Sequence, residues 1–143
     1  MVDSYLSNTV PKATPLQLKF EMERNKSLVI LDSREEEEYQ ASHIKNSILV
    51  GHDHFNLSSL AGLPKDSKIY VYCSIGYRSE VIGEKLIAAG YTKVYNLYGG
   101  IFSWMNAGYE VVDNQGKATS QVHGYSKKWA KWVNKKRAKI VLN

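Results

Sequence analysis

Short apolar runs separated by polar, turn-prone stretches set the plan of this chain. Leu28-Val29-Ile30-Leu31, Ser47-Ile48-Leu49-Val50, Lys68-Ile69-Tyr70-Val71-Tyr72 and Lys93-Val94-Tyr95-Asn96-Leu97 are of strand length and rich in β-branched and aromatic residues. The first is continuously apolar, as a strand buried on both faces requires. Segments with helical signals lie between these runs. Thr14-Pro15 is a helix start, with Thr as N-cap and Pro in the first turn. Leu16 and Phe20, joined by Leu18 or Met22, would give that helix its apolar side. Glu35 to Ala41 reads as a short helix whose acidic first turn suits the helix dipole. Asp53 to Leu60 reads as another, with Asp53 as its cap. Ser79 to Ala89 is a helix stopped by Gly90, and Ile101 to Asn106 follows a break at Gly99-Gly100. Strands alternating with helices predict an α/β fold, its sheet largely parallel and covered by helices on both faces.

The two ends differ from this pattern. Residues 1–13 show no periodicity and read as a leader, so the domain is expected over 14–112. Asp113 to Ser120 is polar and turn-rich, a linker in this reading. Beyond it, Tyr125, Trp129, Trp132 and Val133 recur at helical spacing, with Lys127, Lys128, Lys131 and Lys135 largely off that face. Residues 113–143 are therefore expected to be a linker and a basic amphipathic helical extension. Charge sharpens the contrast. All 14 acidic residues and 11 of the 19 basic ones lie in 1–113, whereas 114–143 carries the other 8 basic residues and no acid. The net charge of +5 thus describes a mildly acidic body with a basic tail. Exposed Trp129 and Trp132 would be costly, so the first reading of the tail is docking on the body or on a second subunit. Contact with nucleic acid, an acidic protein or a membrane surface is the alternative.

With 143 residues, 43% of them hydrophobic, the chain fits one domain with a real core. A single cysteine excludes an internal disulfide framework. No basic-then-apolar start and no apolar run near the roughly 20 residues needed to span a bilayer is evident, so a soluble cytoplasmic protein is expected.

That cysteine is the most telling residue. Cys73 follows the β-prone run 68–72 and opens the loop Cys73-Ser74-Ile75-Gly76-Tyr77-Arg78-Ser79, which leads into a helix. The N–H groups at a helix start carry partial positive charge, and Arg78 adds a full one; both favour thiolate over thiol. The same donors make an anion cradle. Asp32, like Cys73, falls at the C-terminal end of a strand, where ligands bind in open parallel sheets.

Three ordered signatures now resemble a known family. Asp32-Ser33-Arg34 with Glu38-Tyr39 and Ser42-His43-Ile44 is similar to the first signature of the rhodanese-like single-domain sulfurtransferases. Cys73 to Ser79 resembles their active loop, Cys-x-x-Gly-x-Arg-Ser, and Tyr98-Gly99-Gly100 with Trp104 their closing signature. The resemblance runs from about Thr14 to Tyr109 and implies a rhodanese-like fold. It implies that Cys73 takes a sulfane sulfur from thiosulfate or a similar small anionic donor, holds it as a persulfide, and yields it to cyanide or a thiol. In that cycle Ser74, Ile75, Gly76, Tyr77, Arg78 and Ser79 would bind substrate, with Asp32 and Arg34 in support. No cofactor or metal is called for. The four residues between Cys73 and Arg78 make a loop tighter than the five-residue loops of related phosphatases, which favours sulfur over phosphoryl transfer. A persulfide carrier handing sulfur to an acceptor protein and a non-catalytic regulatory module are the alternatives. Ser42 stands where the family usually has Gly, which predicts a strained turn there, and Tyr77 is a bulky residue that would narrow access to the sulfur.

Other residues have plainer readings. Arg34 and Glu38, four apart, fit a structural ion pair. Glu35-Glu36-Glu37-Glu38 fits a solvated helix face. His52 and His54 lack cysteine partners and an evident third ligand, so they do not make a metal site. His43 fits a turn-stabilising role.

Overall fold

The computed structural model describes residues 10–53, 55–74, 77–119, 121–123 and 139–141, with only the backbone at Tyr77, 121–123 and 139–141. Five strands form the main sheet: β1 (Lys12–Ala13), β2 (Val29–Asp32), β3 (Ile48–Leu49), β4 (Lys68–Tyr72) and β5 (Lys93–Leu97). Their order is β1-β5-β4-β2-β3 and every pairing is parallel. The helices are α1 (Pro15–Arg24), α2 (Glu36–Ala41), α3 (Tyr77–Ala88) and α4 (Gly100–Asn106), with a 3₁₀ turn at Leu57–Leu60. No helix among the described residues is long and apolar enough to cross a membrane.

Side-chain alternation on β4 divides the core. Tyr70 and Tyr72 join a cluster with Leu18 of α1 and Ile101, Phe102, Trp104 and Met105 of α4. Ile69 and Val71 join one with Ile82 and Leu86 of α3. The period of two therefore places α1 and α4 on one face and α3 on the other. On β2, Ile30 and Leu31 divide in the same way, as expected of a strand buried on both sides. The connection through β3 leaves by one edge and returns to β4 between β2 and β5. This puts the C-terminal end of β4 near the middle of the sheet's carboxyl edge.

Several expectations change. Helix α1 starts as predicted, with reciprocal Thr14 and Gln17 side-chain caps. Its buried side, however, is Leu18 with partly buried Met22, while Leu16 and Phe20 are 68% and 50% exposed. The i, i+4 rule fixed the spacing of the face and not its phase. Residues 10–13 are not leader: Val10 is buried against the α3 side, and β1 pairs with β5. Two residues are too few to show a period. The helix expected over Asp53–Leu60 is only the 3₁₀ turn, capped by Asn56 through the Ser58 N–H and hydroxyl rather than by Asp53.

The expected linker is a hairpin of β6 (Val111–Val112) and β7 (Ala118–Thr119). The Asp113 carboxylate accepts from the Gln115 and Lys117 N–H groups, and Gly116 takes φ +82 in its turn. Those hydrogen bonds hold the Asp113 carboxyl below its ordinary value. A further parallel pair joins β8 (Gln121–His123) to β9 (Lys139–Val141), strands not expected in the tail. Residues 1–9, Ile75, Gly76, His54, the side chain of Tyr77 and the helix expected around Tyr125, Trp129, Trp132 and Val133 lie outside the described residues.

The phase of α1 gives a direct check. Leu18→Ala should cost about 2–5 kcal/mol, whereas Leu16→Ala should change stability by less than about 0.5 kcal/mol. Urea unfolding midpoints of the two variants measure this, and equal losses would contradict the packing described.

Candidate active site

Cys73 is two residues beyond Val71 on the α3 side of β4, and 1% exposed. Burial is ordinary for a free cysteine. Its surroundings are not ordinary, because the α3 face becomes polar at this level. Ser79 Oγ lies 3.5 Å from Cys73 Sγ and 2.5 Å from Asn96 Oδ1. Ser79 and Asn96 are fully buried. Asn96 comes two residues after Val94 on β5 and pairs in register with Val71.

Two contacts from α4 hold the start of the loop. The Ile101 N–H donates to the Cys73 carbonyl at 2.8 Å, and the Phe102 N–H to the Ser74 carbonyl at 3.2 Å. Gly100 sits at φ +62, and a Cβ there would run into both of those carbonyl oxygens. The Gly99-Gly100 pair is thus what lets the backbone of α4 come this close to the loop.

From the other side, α2 supplies Glu38, which is 1% exposed. Its carboxylate accepts from Arg78 Nη1 at 2.7 Å and Nη2 at 2.9 Å, a bidentate pair, and from Ser74 Oγ at 3.1 Å. Arg78 Nη2 also donates to Ser74 Oγ at 3.0 Å. The Glu35 N–H caps onto Glu38 Oε1 as well. Burial pushes the Glu38 carboxyl up, but the Arg78 hydrogen bonds and charge outweigh it and hold the group below its ordinary value. Glu38 is therefore no part of a solvated acidic face, and its ion-pair partner is Arg78, not Arg34.

Arg34 pairs instead with Asp32. Its Nη2 donates to Asp32 Oδ2 at 2.7 Å and to the Ser42 carbonyl at 2.6 Å, with both charged residues fully buried. Burial lowers the Arg34 pKa, but the Asp32 charge and hydrogen bond raise it further. Tyr72 lies under the guanidinium; burial and Asp32 keep its phenol protonated well above the ordinary value. The Tyr72 hydroxyl accepts from the Ile44 N–H and meets Ser47 Oγ. Asp32 and Arg34 thus frame the end of β2 and the Ser42–Ser47 turn. Ser42 has φ −171, extended backbone open to any residue, so no strain follows from the absence of Gly. His43 stacks on Tyr39 and bonds its carbonyl, the turn role expected. His52 meets Asp53, and no cluster of three metal-ligating side chains exists among the described residues.

The structure gathers Cys73, Ser74, Arg78 and Ser79 around the loop and sets Asp32 and Arg34 in a separate pair. Residue-by-residue reading missed Asn96 and the partner of Arg78. Asn96 had a faint signal, a poor strand former in the middle of a strand. The Glu38–Arg78 pair spans 40 residues and left no local pattern.

The layers and the cysteine loop at the carboxyl edge of the central strand agree with the match to a known family. Residues 14–107 match the rhodanese-like domain, and the chain belongs to that family. Among its relatives, the thiosulfate sulfurtransferase GlpE of Coxiella burnetii is 28% identical over 89 residues, covering 59% of this chain and 78% of that protein. An adenylyltransferase and sulfurtransferase of Candida albicans is 31% identical over 100 residues, 65% of this chain but 23% of that protein. A tRNA uridine(34) hydroxylase of Onion yellows phytoplasma is 35% identical over 86 residues, 57% of this chain and 28% of that protein. A rhodanese-like domain protein from Staphylococcus aureus superposes with a TM-score of 0.60 at 30% identity, over 66% of this chain and 90% of that one.

The buried pair sets an acid limit on stability. Glu38 is depressed in the folded state, so its contribution is present above its ordinary value of 4.5 and is lost as pH falls through the folded value. Glu38→Gln leaves Arg78 short of a counter-charge and should cost about 3–5 kcal/mol at neutral pH. The same variant should show a shallower loss of stability on acidification, measured by urea midpoints between about pH 3 and 6. A variant that keeps the parent's acid slope would remove Glu38 from this role.

Proposed function

We propose that this chain is a sulfurtransferase that carries a sulfane sulfur on Cys73, from thiosulfate or a similar anionic donor to cyanide or a thiol. One observation carries the reading. The sulfur stands at the carboxyl end of the central strand, beside a buried hydroxyl, in a loop held by α4 on one side and by Glu38 on the other. The sulfurtransferase names of the relatives at 28% and 31% identity support it.

The chemistry balances without a metal or a general base. The Cys73 thiolate forms a bond to the sulfane sulfur, and the S–S bond of thiosulfate breaks with its electron pair leaving on sulfite. The product is a persulfide anion. Cyanide or a thiolate then attacks the outer sulfur, forming thiocyanate or a new persulfide and returning the Cys73 thiolate. Both steps move negative charge along a line of sulfur atoms, and fixed dipoles are the economical way to hold it. The N–H groups at the start of α3 and the Ser79 hydroxyl suit that role. Arg78, matched by Glu38, shapes the loop more than it supplies free positive charge. An acceptor protein in place of a small thiol suits the same exchange step.

Intact-mass measurement after incubation with thiosulfate tests the proposal. Wild type should gain one sulfur atom and lose it on adding cyanide, while Cys73→Ser should gain none. A persulfide that forms and yields to protein thiols but hardly to cyanide would make the chain a carrier. No gain of mass under any donor would remove the transfer reading.

A further inference from the structure

We infer that Asn96 is a positioning residue for the reactive sulfur: it sets the direction of the Ser79 hydroxyl and, through it, how readily Cys73 becomes and stays anionic. The inference rests on the sulfur-transfer reading of Cys73 and adds a residue on a different element to it.

A fully buried amide in the middle of β5 asks for a reason. Asparagine is a poor strand former, and an amide removed from water costs free energy unless it is hydrogen-bonded. The backbone N–H of Asn96 is already used, donating to the Pro11 carbonyl at 2.8 Å across to the edge strand. Among the contacts of its side chain is Ser79 Oγ at 2.5 Å, and Ser79 Oγ is in turn 3.5 Å from Cys73 Sγ. The three groups form a line from β5 through the first turns of α3 to the sulfur.

The Ser79 hydroxyl has one hydrogen to give, and the line has two polarities. With the amide oxygen toward Ser79, that hydrogen goes to Asn96 and an Oγ lone pair faces the sulfur. This arrangement suits a thiol, which can donate to it. With the amide turned end for end, Nδ2–H donates to Oγ and the hydroxyl hydrogen goes to the sulfur. This arrangement suits a thiolate or a persulfide anion. A carboxylate offers only the first arrangement and an alkyl side chain neither. The amide is the side chain that can follow the sulfur through a cycle in which its charge changes. A merely structural Asn96, tying β5 to α3, would affect stability and leave the acidity of the sulfur alone.

Cys73 is the only cysteine, so ultraviolet thiolate absorbance against a Cys73→Ser blank reports its ionisation alone. Asn96→Leu, Ser79→Ala and the double variant should be titrated this way after circular dichroism has shown that each is folded. Each single change should move the midpoint up by about one pH unit and slow iodoacetamide alkylation below the midpoint by about threefold, the lost thiolate being partly offset by its greater nucleophilicity. The double variant should move no further than the larger single, because both act through one hydroxyl. Additive shifts, or an Asn96→Leu profile superimposable on wild type, would overturn the inference. If Asn96→Leu fails to fold, Asn96→Asp keeps the shape and takes its place. Its midpoint should rise, and rise less when Ser79 is alanine; an equal rise in both backgrounds would overturn the inference. The thiosulfate mass measurement on wild type is independent of these titrations. Coupled shifts without persulfide would keep Asn96 and lose sulfur transfer, and persulfide with uncoupled shifts would do the reverse.

Discussion

The carboxylate of Glu38 and the guanidinium of Arg78 meet 40 residues apart in sequence, nearly out of water, beside Ser74 of the cysteine loop. Ser74, the second residue of the loop, donates to the same carboxylate. In this way the Glu38 carboxylate ties α2 to Arg78 on α3 and to Ser74. The N–H groups of Ile101 and Phe102 donate to the carbonyls of Cys73 and Ser74. The sulfur is placed by three elements, none of which carries it. That is the condition for a preorganised site, where donors stand ready before charge arrives.

The pairing also changes the electrostatic account of the loop. A free Arg78 beside the sulfur would be the obvious source of positive potential. A bidentate partner at 2.7 and 2.9 Å makes the two residues together close to neutral. Among the described residues, the Ser79 hydroxyl lies 3.5 Å from the sulfur, a dipole in place of a free charge. Dipoles act at short range, so small rotations of one hydroxyl carry weight that a full charge nearby would mask. On the proposed cycle, the orientation of Ser79 would therefore matter.

Much of this was legible in the sequence, and the misses have a common cause. The runs at 68–72 and 93–97 are strands to the residue, because each is bounded by turn-prone residues and buried on both faces. The cysteine loop and the Gly99-Gly100 break were visible because they follow local rules: a strand end, a helix start, a positive φ. Misassigned were the buried side of α1, the role of Glu38, the edge strand β1 and the hairpin at Asp113. For α1, the apolar pairs 16/20 and 18/22 are both at helical spacing, and only contact with Ile30 and Trp104 in one cluster decides between them. For Glu38, four consecutive glutamates look alike until a partner from α3 selects one. In each case the deciding contact is long-range, which a window of neighbouring residues does not contain.

The buried polar groups fall into two sets that face different tasks. Arg34 bonds Asp32 and the Ser42 carbonyl, Tyr72 lies under its guanidinium and bonds Ile44 and Ser47, and together they hold the end of β2 and the turn that follows α2. Glu38, Arg78, Ser74, Ser79 and Asn96 surround the cysteine loop. Both sets cost desolvation, and a core of apolar residues of similar volume is often at least as stable as a buried ion pair. Stability alone therefore does not account for them. The first set still has a structural use, since it sets where α2 begins and hence where Glu38 reaches. The second has contact with the sulfur loop at every member or through one neighbour. Placed in this order, the frame around β2 positions α2, α2 positions Arg78 and Ser74 through Glu38, and the hydroxyl of Ser79 is left as the last group before the sulfur.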